Sequence, residues 1–303
     1  MDVIEATYRV NTPMFLGSAN NEIAEIRPTS IVGVLRFWYR ALALAEFNGN
    51  PKKVENAEGV IFGYTRGETA TKALYSLRVA NNNAKGQGKG DKVEMAGLSY
   101  LGYGLHRFDG KKDANIYNRN YISSDREIGL KLIKNPGLKT NLDEADLKIA
   151  TEILLDSLKC LGIFGGLGSR SRKGFGSVTL LSLEHNGKPL IVSPLGKTKD
   201  ALEAEIAKLL EKAWNYGNGN PKNIPYTAFS KHTKVVITKE YDASEKLLDE
   251  IGKEMLRYRG WGKGGKLITG ETSLKLFKED HDLVRLCENS LKGFHNLAKY
   301  DRI

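Results

Sequence analysis

Apolar and polar residues alternate along "VIEATYRVN" at positions 3–11, the period of a strand with one face buried and the other in water. After a turn-rich link, "TPMFLGSAN", the period changes. Across "RPTSIVGVLRFWYRALALAEF", Ile31, Leu35, Trp38, Leu42 and Ala45 recur at helical spacing, which predicts a helix over 31–47 packed on a sheet. Pro28 ends the extended segment before it, and Thr29 or Ser30 is the expected N-cap. Two further strands are predicted at "ALYSLRVAN" (73–81) and "LSYLGYGLHRF" (98–108). Between them "NNNAKGQGKGDK" (81–92) has one alanine as its whole aliphatic content, so a flexible loop is expected. Residues 113–140 read as an irregular excursion with room for a hairpin. In "NLDEADLKIATEILLDSLKCLG", acidic residues precede Leu147, Ala150, Leu154, Leu158 and Leu161 on one helical stripe, with Gly162 as the stop. A last strand, "SVTLLSLEHNG" (177–187), ends in a turn.

The order strand, helix, strand, strand, helix, strand is that of the ferredoxin-like split βαβ unit, so the expected class is α+β. Beyond "GKPLIVSPLGK" the pattern restarts, with helices over 200–216, 243–259 and 281–297 and a strand at 233–238. A boundary near residue 188 then separates a first domain, 1–187, from a more helical and less regular second one, 188–303.

Length and composition agree with this division. A chain of 303 residues with 41% hydrophobic content can bury one large core or two ordinary ones, and its length favours two. No apolar run is long enough to cross a bilayer, and "MDVIEATYRV" lacks the basic and then apolar character of a secretory signal, so a cytoplasmic location with no membrane partner is expected. Cys160 and Cys287 form no CxxC pair, no histidine stands at metal-ligand spacing, and the sequence calls for neither metal nor cofactor. Each cysteine sits in an apolar helical pattern and reads as a small buried hydrophobe.

Charge changes the picture more. The formal net charge is +10, and residues 1–187 carry 25 Lys and Arg against 20 Asp and Glu, so the excess is spread along the chain rather than held in one tail. Such a balance favours a polyanionic partner. The plain alternative is a soluble basic surface.

The kind of cation is more telling. Lysines outnumber arginines 31 to 15, yet the cations between residues 27 and 40 are Arg27, Arg36 and Arg40. A guanidinium binds phosphate bidentately and stacks on bases, which an ammonium cannot do. Gly33, Arg36 and Arg40 fall opposite the apolar stripe, a plausible phosphate platform. The competing reading pairs these arginines with Glu22, Glu25 or Glu46 on a solvated face.

"GIFGGLGSRSRKGFGS" (162–177) packs six glycines with Arg170, Arg172 and Lys173, which suggests backbone bent around something anionic. It lacks the spacing of a Walker loop and leads into a strand. "GWGKGGKL" (260–267) comes nearer, but Leu267 stands where a hydroxyl would hold magnesium, and the stretch follows a helix. "KGFGSVTL" (173–180) partly matches the RNA-recognition signature, with Ser177 and Leu180 in place of its aromatics. The five histidines stand in no catalytic spacing, and His281 in "EDHDL" reads as a helix cap.

"TPMFLGSAN" with "EIRPTSIVGVLRFWYRAL", "IFG" at 61–63 and "GIFGGLGSRSRKGFGSV" together resemble the RAMP superfamily of CRISPR systems. Within it they are most similar to the first-numbered subunits of type III-B Cmr effector complexes. The resemblance lies within residues 11–178. It implies two tandem ferredoxin-like domains, although no closing strand is evident in the second. It also implies a subunit of an RNA-guided antiviral ribonucleoprotein that does not itself cut. The implied partners are guide CRISPR RNA near its 3′ end, single-stranded target RNA and other RAMP subunits. Arg27, Arg36 and Arg40 match the family's basic helix. Gly165, Gly166, Gly168, Arg170, Arg172, Lys173, Gly174 and Gly176 match its loop, whose amides and cations are expected to form an RNA groove with that helix. One alternative is a metal-independent endoribonuclease that processes CRISPR RNA, with His106 or Tyr39 as general base. Another is a protein-only assembly module whose basic face meets acidic partners.

Overall fold

The N-terminal alternation forms the middle strand of a sheet. A computed structural model describes residues 2–17, 23–80, 87–215, 228–238 and 240–259. In chain order, β1 (Val3–Val10) is followed by α1 (Pro28–Glu46), α2 (Pro51–Phe62) and a hairpin of β2 (Tyr64–Arg66) and β3 (Thr69–Thr71). Then come β4 (Tyr75–Ala80), α3 (Ala96–Leu101), a second hairpin of β5 (His106–Asp109) and β6 (Ala114–Tyr117), and β7 (Glu127–Lys134). The remaining elements are α4 (Glu144–Phe164), β8 (Val178–His185), β9 (Lys188–Ile191), α5 (Lys199–Trp214) and α6 (Ser244–Arg259).

The five-stranded antiparallel sheet has the order β4-β7-β1-β8-β9. Ile4, Ala6, Tyr8 and Val10 of β1, Ile128, Leu130 and Leu132 of β7, and Val178, Leu180 and Leu183 of β8 are buried on one face. They form one core with Ile31, Leu35 and Leu42 of α1 and Leu154, Leu158 and Leu161 of α4. Each such side chain contributes roughly 1.5–3 kcal/mol when withdrawn from water. β1, α1, β4, β7, α4 and β8 thus follow the strand–helix–strand–strand–helix–strand order.

The third strand of that order differs from the expected one. Residues 98–108 are not a strand but α3, a turn and β5. Gly104 adopts φ +87°, which breaks an extended run, and Gly97 lies so close to α6 that a Cβ would come within 1.9 Å of the Asp249 carbonyl oxygen. Asp249 then accepts from the Gly97 and Leu98 amides at 2.8 and 3.3 Å, capping α3 from another helix. The sheet position goes to β7, from within the segment expected to be irregular.

Smaller corrections have similar causes. The N-cap of α1 is Arg27, without a side-chain cap, and Pro28 opens the helix, so Thr29 and Ser30 lie inside its first turn. Gly162 does not stop α4; the helix runs on to Phe164, and the missing side chain lets it approach β8, where a Cβ would meet Leu180 at 2.7 Å. Of the expected flexible loop, 81–86 lie outside the described residues. Residues 87–92 are held, with the Gln87 amide donating to the Tyr121 carbonyl at 3.0 Å and Gly90 to Tyr117 at 2.9 Å.

The expected boundary at 188 falls within the β8–β9 hairpin. Ile206, Leu209, Leu210 and Ala213 of α5 join the main core. Residues 233–238 belong to no strand, and Phe229 just before them packs on Trp38 and Phe164. The expected helix at 281–297, "GWGKGGKL", Cys287 and His281 lie outside the described residues. Cys160 is buried, and none of the described helices is long and apolar enough to cross a membrane.

Candidate nucleic-acid interface

The glycines of 162–177 serve the protein's own backbone. Gly168 and Gly176 have φ +89° and +63°; a Cβ on Gly168 would meet the Phe15 carbonyl oxygen at 2.6 Å, and one on Gly176 the Leu167 carbonyl oxygen at 2.0 Å. The loop is thereby pressed against the chain leaving β1. Leu167 donates to Gly176 (2.8 Å), Ser169 to Phe15 (2.9 Å) and Gly176 to Pro13 (2.9 Å), while Thr12 Oγ1 donates to the Gly174 carbonyl and accepts from the Ser177 amide. These amides are spent inside the protein, so the expectation that they face an anion does not hold for them. Phe175 is wholly buried with Phe15 and Leu248, which removes it as a stacking surface. The loop projects cations instead. A 3-10 turn, Ser171–Lys173, lies between Arg170 and Gly174, both left-handed, and Arg170 and Arg172 are exposed.

On α1 the arginines have unequal circumstances. Arg36 Nη1 donates to Glu58 Oε1 at 3.0 Å, and its Nη2 donates to the Phe62 carbonyl at 3.2 Å and to that of Gly63. Its guanidinium also lies 5.5 Å from the Phe62 ring centre, so Arg36 clamps the end of α2. Arg40 grips the same carboxylate at 2.6 and 2.7 Å, and these hydrogen bonds push its pKa up. Among the described residues the partner is therefore Glu58, and not Glu25 or Glu46, while Glu22 lies outside them. Glu58 has a side chain 9% exposed, against 58% for Arg40, which still presents its guanidinium to solvent.

Helix and loop do converge. A groove of about 950 Å³ is lined by Gly33, Phe37 and Arg40 of α1, by Gly165 and Arg172 of the loop, and by Val236. At its lip the Arg172 guanidinium lies 5.7 Å from the centre of the Phe37 ring, which is exposed. Gly166 is also in its wall. Arg40 lines a second groove too, of about 860 Å³, with Lys52, Glu58 and Tyr64. Arg27 and Gly168 are not in either groove but share a smaller cavity of about 280 Å³. Arg170 points to Gly104, its Nη2 3.5 Å from where a Cβ would stand, and a Cβ on Gly174 would meet Leu248 at 2.7 Å. Lys173 is half-buried. Phe37 and Tyr64 are absent from the sequence-based set, although Phe37 in "RFWYR" stands off the apolar stripe of its helix, a legible sign of an exposed aromatic.

The two candidate bases have different surroundings. Tyr39 is wholly buried and its hydroxyl has no partner; burial, with the nearby Glu58 charge, pushes its pKa far up. His106 Nε2 lies 2.8 Å from the Ser99 carbonyl oxygen and 3.1 Å from its hydroxyl.

Against known proteins, the RAMP superfamily matches residues 7–179. The CRISPR system Cmr subunit Cmr1-2 of Pyrococcus furiosus is 25% identical over 182 residues, 57% of this chain and 91% of the relative. Subunit Cmr1-1 of the same organism is 25% identical over 272 residues, 87% of this chain and 75% of the relative. Among solved structures, apo Cmr1 from Pyrococcus furiosus covers 85% of this chain, and 72% of its own length is matched, with TM-score 0.50 and 17% identity. A chain of the type III-B Cmr-beta complex bound to cognate target RNA covers 86%, and 74% of its own length, with TM-score 0.54 and 14% identity. At these identities the structural likeness concerns the fold.

Proposed function

Because this chain belongs to the RAMP superfamily and is homologous to the Cmr1 subunits of Pyrococcus furiosus, we propose that it is a noncatalytic RNA-binding subunit of a type III-B Cmr effector complex. Its partners in this reading are guide CRISPR RNA near the 3′ end, single-stranded target RNA and neighbouring RAMP subunits.

The observation that carries the reading is the Phe37–Arg172 pair at the lip of the groove between α1 and the glycine loop. An exposed ring offers a face to any base, and Arg172, which makes no ion pair among the described residues, offers a cation to the adjoining phosphate. Stacking on an aromatic side chain is worth about 1–3 kcal/mol per base. Phe37→Ala should therefore weaken single-stranded RNA binding by about tenfold, and Arg172→Ala should in addition flatten the salt dependence by about 0.7 in log–log slope. Wild-type affinity in both variants would overturn the interface. The noncatalytic assignment draws support from the burial of Tyr39 and the occupied ring nitrogen of His106. Incubation with repeat RNA without added metal tests it, and specific cleavage would reverse it in favour of an endoribonuclease.

A further inference from the structure

The cavity of about 280 Å³ beside the groove is walled by Phe15, Leu16, Arg27, Arg119, Gly168 and Ser169. Its walls are tied down. The Ser169 amide donates to the Phe15 carbonyl at 2.9 Å, the Leu16 carbonyl accepts from the Glu25 amide at 2.8 Å, and Gly168 meets the 15–16 backbone with no room for a side chain. Arg27 enters from the N-terminus of α1, and Arg119 from the link between β6 and β7.

Among the described residues no carboxylate lines this cavity, and neither arginine makes an ion pair. The contrast is with Arg36 and Arg40, whose charges are met by Glu58. Arg119 makes one hydrogen bond to the wall, from Nη1 to Ser169 Oγ at 3.3 Å, which aims its planar fork while leaving other donors unused. No acidic residue stands in the first turn of α1, so the positive helix end adds to the same field. Two like charges held around one rigid cavity repel each other, and an anion between them removes that repulsion.

We propose that this cavity is a phosphate subsite, in which Arg27 and Arg119 grip one phosphate of the bound RNA and Ser169 donates its hydroxyl. The inference rests on the RNA-binding reading above. The volume lies at the low end for ligand sites and fits a single phosphate-bearing unit, not a stacked run of nucleotides. The same chemistry would hold a terminal phosphate or an internal phosphodiester.

The test uses the full chain and three forms of one single-stranded RNA: 5′-phosphorylated, 3′-phosphorylated and unphosphorylated. Arg119→Ala and Arg27→Ala should each weaken binding by about tenfold, and Arg119→Lys should restore only part of it because the fork is lost. Combined, the two alanine losses should not multiply, since both side chains hold one group. Arg27→Ala guards against a folding artefact, because that side chain makes no hydrogen bond or ion pair among the described residues. Loss of wild-type affinity on removing one end phosphate, with the variants indifferent to it, assigns a terminal phosphate. Equal losses on all three RNAs assign an internal one. If both alanine variants bind all three as the wild type does while Phe37→Ala is weakened, the subsite is refuted and the groove stands. If the wild type binds none of them, the RNA reading falls as well.

Discussion

Glu58 determines what the arginines of α1 can do. One nearly buried carboxylate meets two guanidiniums, and Arg36 adds two backbone carbonyls at the end of α2, so its removal strands acceptors that it now satisfies. Arg36→Ala should therefore cost on the order of 2 kcal/mol, read as a lowered Tm, with little change in RNA affinity. An unchanged Tm would refute the clamp. Glu58→Gln should also lower Tm, but it frees the exposed Arg40, so RNA binding should tighten and its salt slope steepen by about 0.7. The arginine choice between residues 27 and 40 was visible in the sequence, whereas the partner was not, because Glu58 stands on the next helix and only packing of α1 on α2 brings it near. A second carboxylate ties the open end of the sheet. Burial raises the Asp2 pKa, but hydrogen bonds from His185 (2.8 Å) and Tyr75 (2.8 Å) and the charges of His185 and Lys134 outweigh it, so the net shift is downward. Its folded pKa lies below its unfolded value. The stabilisation is then complete above about pH 4 and is lost as pH falls through the folded value. Asp2→Asn should abolish this part of the acid sensitivity, measured as Tm between about pH 5 and pH 2.

Among the elements, α3 is the one that sequence periodicity did not assign, whereas α6 (Ser244–Arg259) stands where a helix over 243–259 was expected. "LSYLGYGLHRF" has the apolar content of a strand, and the fact that decides against it is tertiary: Gly97 and Gly252 meet backbone to backbone, and Asp249 of α6 caps α3. "EIGLKLIK", by contrast, alternates cleanly, with Ile128, Leu130 and Leu132 buried, and could have been identified as the missing strand had its hydrophobic period been weighed above the turn residues around it. The helices α1, α4, α5 and α6 were legible because each carries a sustained apolar stripe. The α3–α6 contact leads to a local prediction. Gly97→Val places side-chain atoms where Asp249 backbone stands, so α6 must detach, and hydrogen exchange should rise across 96–101 and 244–259 while β1 and β7 keep their protection. Uniform loss of protection would mean that the pair is part of the global unfolding unit. Unchanged protection would mean that the close approach is absent in solution.

At the scale of the whole molecule, the proposed RNA-binding role raises the question of which side of the sheet would meet RNA. A four-stranded sheet of this order can present stacking aromatics on its open face, as RNA-recognition modules do. Here that face carries Glu5, Thr7 and Arg9 on β1, Lys131 on β7, and Thr179 and Ser182 on β8, and Lys131 pairs with Glu5 at 2.7 Å. No aromatic stands among these residues. The groove with Phe37 and Arg172 opens on the helix side, where α1 and the glycine loop meet, and the Arg27 cavity lies against the same loop. On the proposed reading the net charge of +10 matters less than which cations are unpaired and share a surface. Arg9→Ala and Lys131→Ala change the net charge as much as Arg172→Ala does. If position governs, the two sheet-face variants should keep wild-type affinity for single-stranded RNA and its salt slope, while Arg172→Ala loses both in part. Equal losses from all three would show that RNA responds to overall charge and that the groove confers no preference. A loss confined to the sheet-face variants would move the interface to the opposite side of the protein. Ultraviolet crosslinking of bound RNA gives an independent reading, with adducts expected at Phe37 and not on the outer face of β1.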